Sequence, residues 1–287
     1  MLAEFGLILA VTTGGVQTLN SSSQPMAATL DARAQQSPLD QELTIHEYGS
    51  GSAAPIRFYD RDMTKKLHLI IVDDGLQSFM HVHPALQPDG AFILKQHFPH
   101  GGIWHLYADG IPHNFGRAVF RFDLVLPGSA PAARATQSSA TARAGPYAVH
   151  IGTTSLRAGA MTMLTVHIDR GGHAARDLRP YLGARAHAVM IGAGFSYIHA
   201  HAMSAHMGMP GMNMPAAIAT PSVVASEDPC NQDADVGMSL VELPPAAHVA
   251  ADMSVMLLPS KPGRYHLWIQ FRGEAAVYTA PFIIQVR

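Results

Sequence analysis

The feature that most constrains this chain is an internal similarity that keeps histidines in order. Lys65 to Pro84 reads KKLHLIIVDDGLQSFMHVHP, and Gly183 to Met203 reads GARAHAVMIGAGFSYIHAHAM. Aligning His68 with His187 brings His81 and His83 onto His199 and His201, with one residue deleted between them. Further on, FPHGGIWHLY at 98–107 parallels LPSKPGRYHLW at 258–268, and His105 falls on His266. Each half closes on an alternating apolar strand, RAVFRFDLVL at 117–126 and AVYTAPFIIQV at 276–286. Two halves with one pattern predict two copies of one supersecondary plan.

The plan is β. Runs rich in Val, Ile, Phe and Tyr alternate with Gly, Pro and Asp turns. They predict strands at 42–48, 56–61, 66–72, 78–83, 91–98, 103–108 and 117–126. In the second half they fall at 149–154, 161–169, 185–191, 196–201, 252–258, 264–271 and 276–286. No amphipathic helical period appears. The expected fold is all-β, two tandem antiparallel β-sandwich domains at 41–127 and 147–287. The small-residue stretch PGSAPAARATQSSATARAGP reads as a linker, 128–146. The halves differ mainly by an insertion. Eight residues separate His83 from Phe92, whereas 50 separate His201 from Asp252. The Met-rich insertion is placed at 202–243.

At the N-terminus an apolar run, Phe5 to Val11, precedes a small-x-small triplet, Ala32-Arg33-Ala34. Residues 1–34 read as an export signal, with Glu4 standing where basic residues are usual, or as a disordered tail. The first reading predicts a periplasmic or secreted protein. No stretch is long enough to be a transmembrane helix.

The first hairpin can be argued residue by residue. Asp74-Gly75 favours a two-residue type I′ turn, which sets Ile70 opposite Phe79 and His68 opposite His81. In the second half a three-residue loop at 192–194 sets His187 opposite His199. Opposed residues on one face have Cβ atoms about 5 Å apart, near enough for two imidazoles to share an ion. His83 and His201, two residues on, share those faces. The candidate ligands are therefore His68, His81, His83 and His105, and His187, His199, His201 and His266. Neutral imidazole suits copper, zinc, nickel and iron.

A second signal follows His201. HAHAMSAHMGMPGMNMP holds His206, Met203, Met207, Met209, Met212 and Met214, among Gly and Pro rather than Leu and Phe. Thioethers are soft ligands that select Cu(I). Copper, as Cu(I) through Met and Cu(II) through His, is the expected metal, with zinc second. Type 1 blue copper is not expected from the context of the single cysteine: NQDADVGMSL follows Cys230, with no His before His248. Cys230 reads as a loop thiol or an extra Cu(I) ligand.

Composition narrows the rest. The 287 residues include 17 His and 15 Met but 19 Lys plus Arg, and net charge is -2. There is no basic patch, so nucleic acid is not an expected partner. One cysteine excludes a disulfide framework and a Cys-type zinc finger. HExxH, GxSxG, Walker A and post-strand GxGxxG motifs are absent.

The pattern KLHLIIV…FMHVHP…FPHGGIWHLYAD resembles short exported β-sandwich domains called YtkA-like, and the MGMPGMNMP stretch is similar to segments of periplasmic copper carriers. The resemblance covers roughly 60 residues in each half. It implies an immunoglobulin- or cupredoxin-like sandwich, an extracytoplasmic location and metal handling, with a membrane metal transporter as a partner. The expected function is non-enzymatic copper buffering or delivery. The alternatives are a structural or interaction module with structural histidines, and a mononuclear metalloenzyme.

Overall fold

The computed structural model describes residues 17–18, 26–132, 138–205, 242–274 and 276–287. The chain divides into two compact units, Met1–Ala135 and Thr136–Arg287.

The first unit contains β1 (Gln17–Thr18), β2 (Met26–Ala34), β3 (Asp40–Gly49), β4 (Tyr59–Asp60), β5 (Leu67–Asp73), β6 (Phe79–Val82), β7 (Ala85–Leu86), β8 (Phe92–His97), β9 (Gly102–Pro112) and β10 (Ala118–Leu126). One sheet runs β1-β10-β9-β5-β6, with β4 on β9, and the other runs β2-β3-β8-β7. All pairings in it are antiparallel. Between the sheets lies a core that includes Leu43, Ile45, Leu69, Ile71, Phe92, Phe98, Trp104 and Phe120. Strand β3 shows why two layers form: its residues alternate between half-buried and buried along all ten positions, so one face must be covered by a partner sheet.

The second unit contains β11 (Thr141–Ala144), β12 (Tyr147–Ile151), β13 (Ser155–Leu156), β14 (Thr162–Arg170), β15 (His173–Ala174), β16 (His187–Gly192), β17 (Tyr197–His201), β18 (Met203–Ser204), β19 (Asp252–Leu257), β20 (Gly263–Arg272) and β21 (Val277–Val286). Its sheets run β11-β12-β14-β19-β18, with β15 on β14, and β13-β21-β20-β16-β17. Only β13 on β21 is parallel among the described pairs. The path β21-β20-β16-β17 has the same order of elements as β10-β9-β5-β6 in the first unit. The chain is thus all-β, antiparallel and layered, as expected.

The boundaries differ from expectation at two places. Met26–Ala34 is a nine-residue strand, paired with β3 from Met26↔Gly49 to Ala34↔Gln41. The first unit therefore begins upstream of residue 41. Thr141–Ala144 pairs with β12, so the second unit begins upstream of 147. Both segments are rich in Ala, which carries little strand signal of its own; pairing with a neighbour decides their structure. No described helix is long and apolar enough to cross a membrane.

Candidate metal centre

Both histidine hairpins form, but each is two residues out of the expected register. In the first, Val72 faces Phe79, Ile70 faces His81 and Leu69 faces Val82. The cause is Asp73. Its Oδ1 accepts from the Gln77 amide at 2.7 Å and the Ser78 amide at 2.6 Å. Leu76 takes a positive φ of 53° as its amide closes on the Asp73 carbonyl at 2.9 Å. This wide turn displaces the Asp-Gly turn. In the second hairpin a 3₁₀ turn at Ala193–Phe195 sets His187 opposite His201 and Val189 opposite His199. A shift of two residues keeps every side chain on its face, so the histidines still gather.

In the first unit His68 Nδ1 lies 2.8 Å from His81 Nε2. His83 Nε2 lies 3.3 Å from the former and 3.2 Å from the latter. His68 is fully buried and His81 nearly so. In the second unit His187 Nδ1 lies 3.1 Å from His199 Nε2. The His201 ring centroid is 4.6 Å from that of His187 and 4.9 Å from that of His199. The corresponding separations of His83 from His68 and His81 are 5.0 and 4.7 Å. Each unit therefore carries a triad of imidazoles. The buried histidines among them, His68, His81, His187, His199 and His201, belong to groups that could hold a metal ion.

The tautomer of the central histidine is set by its backbone partner. His68 Nε2 is 3.2 Å from the Asp62 carbonyl, and His187 Nε2 is 3.0 Å from the Tyr181 carbonyl. Only an N–H can meet a carbonyl there, so Nε2 carries the proton and Nδ1 presents its lone pair to the triad. Each carbonyl belongs to a tight two-residue turn, Asp62 to Lys65 and Tyr181 to Ala184, closed by reciprocal backbone hydrogen bonds. Met63 and Leu182 each hold φ at 52° in these turns. A non-glycine residue there is strained by order 1–3 kcal/mol, a cost that clusters at functional sites. This device was invisible in the sequence: neither turn places glycine at the strained position, and the group that acts is a backbone carbonyl.

The triads differ in what surrounds them. Asp109 stands opposite His68 in the β5–β9 ladder. It accepts from Arg117 at 2.7 Å, while Asp62 meets the same guanidinium at 2.9 Å; all three are buried. Nearby, burial pushes the Glu47 carboxyl up to about 8, against the opposing Tyr59 hydroxyl and aided by the charge of Asp109. Glu47 is thus neutral at pH 7, while Asp62 and Asp109 share the one guanidinium of Arg117. In the second unit the residue opposite His187 is Gln270, whose amide donates to Thr279 Oγ1 at 3.0 Å.

A domain of unknown function, DUF8832, matches residues 141–224. The match takes in the His187–His201 hairpin and covers well under half of the chain. No curated protein matches the chain.

The other candidate ligands are placed elsewhere. His105 stands opposite Val72, and His266 opposite Ile191. These are equivalent ladder positions, as the alignment expects, but neither histidine joins its triad. His105 is held by Asp123 through Nδ1 at 2.6 Å and by Asp74 through Nε2 at 3.1 Å, so two carboxylates fix its ring. His266 packs its ring 5.7 Å from Trp268. Met203 is buried in β18, paired with Ser254, rather than open in a flexible segment. His206, Met207, Met209, Met212, Met214 and Cys230 lie outside the described residues.

Proposed function

We propose that this protein binds copper outside the cytoplasm and buffers or delivers it without catalysing a reaction. Each triad is the anchoring site for one ion, and the Met-rich segment supplies thioethers for Cu(I). The observation that carries the reading is the convergence of three ring nitrogens within 2.8–3.3 Å in the first unit. Each of the three nitrogens is either a donor or an acceptor, so the triangle cannot be closed by N–H···N bonds alone, and at least one contact sets two lone pairs, or two N–H groups, against each other. A cation relieves that repulsion. Nitrogens bound tetrahedrally at about 2.0–2.1 Å stand roughly 3.3 Å apart, close to the spacing found. Core histidines serving only packing have no reason to aim lone pairs at a common point.

The duplication of the histidine pattern, the YtkA-like resemblance and the apolar run near the N-terminus support an exported metal handler with two sites. A membrane metal transporter is the natural partner for such cargo. The test is binding of Cu(I) and Cu(II) to the full chain. One comparison variant lacks 203–214, and another carries Ala at His81, His83, His199 and His201. Selective loss of Cu(I) from the first and of Cu(II) from the second supports the carrier. Binding unchanged in both, or no stronger than that of an unrelated His-containing protein, contradicts it.

A further inference from the structure

The second unit carries another group of ligand-type side chains, on the sheet that does not hold its triad. Strands β11, β12, β14 and β19 are neighbours, and their registers align Thr141, His150, His167 and Asp252 in one row. Asp169, two residues beyond His167 on β14, shares that face. The opposite face is given to the core through Val149, Val166, Ile168 and Met253.

Within the row every imidazole nitrogen is oriented. Asp169 lies between the two rings: Oδ1 is 2.9 Å from His167 Nε2 and Oδ2 is 3.2 Å from His150 Nε2. The far nitrogens are held from behind. His167 Nδ1 meets Asp252 Oδ1 at 2.7 Å, and His150 Nδ1 meets Thr141 Oγ1 at 2.9 Å. Side-chain exposure of 40% for His150, 36% for His167 and 24% for Asp169 leaves the group open to solvent.

The geometry points to a second kind of metal site here, in which His150 Nε2, His167 Nε2 and the Asp169 carboxylate bind a borderline divalent ion such as Zn²⁺ or Cu²⁺. Two imidazoles and one carboxylate, with water completing the shell, are a donor set for such ions and not for Cu(I). Nitrogen and oxygen ligands at 2.0–2.2 Å stand about 3.0–3.4 Å apart; the two N···O spacings lie at that scale, while the two rings, with centroids 6.2 Å apart on either side of the carboxylate, must draw together as the ion enters. The carboxylate behind His167 repeats the carboxylate–histidine–metal arrangement by which outer groups fix ligand tautomers. The first unit provides a contrast: its exposed cross-strand pair, His97 Nδ1 on Asp40 Oδ1 at 2.7 Å, joins one imidazole to one carboxylate.

Zn²⁺ titration of the full chain by calorimetry tests the site. The background is a variant in which His81, His83, His199 and His201 are Asn, so that the triads are disabled. That background is expected to retain one equivalent of Zn²⁺. Adding H150N and H167N should remove it, and adding D169N instead should weaken it at least tenfold. H97N should change nothing. Circular dichroism and melting temperature confirm that each variant is folded. D169N alone decides the matter should the double variant unfold. Unchanged stoichiometry and affinity on adding either set overturns the site. The comparison is independent of the copper reading: if the triads bind nothing, the wild type and the background titrate alike, while the contrast between the background and its H150N/H167N derivative still stands or fails.

Discussion

Replacing His83 with Ala is expected to weaken metal binding at the first triad by about 100-fold or more, while scarcely moving the melting temperature of the metal-free protein. Loss of groups that merely orient ligands costs 10–100-fold, and His83 supplies one of the three converging nitrogens. The metal-free protein should tolerate the change. His83 is only partly buried, and its inward nitrogen faces two others at 3.3 and 3.2 Å. A bound ion at 100 times its dissociation constant stabilises a fold by about 2.7 kcal/mol. Wild-type protein should therefore melt several degrees higher with metal than without it, and H83A should lose most of that increment. A purely structural histidine gives the opposite pattern: lower stability without metal, and no metal-dependent difference to lose. Thermal melts of both proteins, with and without added Cu²⁺, separate the two.

The second large effect concerns Glu47. Its carboxyl is fully buried and is raised from 4.5 to about 8, first by burial and then by the charge of Asp109. A folded-state value above the unfolded one means that folding takes up a proton. The associated stability is fully present below about pH 4.5 and is lost as pH rises towards 8. Between about pH 5 and pH 7.5 the wild type should lose roughly 3 kcal/mol from this group alone, at 1.36 kcal/mol per unit. Glu47→Gln keeps the shape and removes the titration. At pH 7.5 the variant should be the more stable by about that amount, a gain of roughly 10 °C in melting temperature for a domain of this size. The advantage should vanish near pH 4.5. Denaturant unfolding at several pH values measures it, and parallel curves for the two proteins would refute the assignment.

Much of this architecture was legible in the sequence, for a reason the triads make clear. Period-two alternation reports which face a residue occupies but not its exact partner. The register inferred for both hairpins was off by two, yet His68, His81 and His83 still share a face, as do His187, His199 and His201. An error of one would have separated them. What shifted the first register was the Asp73 side chain binding the Gln77 and Ser78 amides, a local competition that an Asp-Gly pair does not reveal. The Ala-rich strands at Met26–Ala34 and Thr141–Ala144 were hidden because their neighbours dictate them. His105 occupies the repeated ladder position, but its ring nitrogens meet the carboxylates of Asp123 and Asp74, partners that the repeat by itself does not reveal. The carbonyls of Asp62 and Tyr181 could not have been found from side-chain types.

The most direct test of the central claim is to crystallise the full chain after loading with Cu²⁺ and to collect anomalous diffraction at the copper edge. A metal peak should lie among His68 Nδ1, His81 Nε2 and His83 Nε2, and a second among His187, His199 and His201. Copper absent from both triads, whether the crystals hold none or hold it only at surface histidines, would contradict the account.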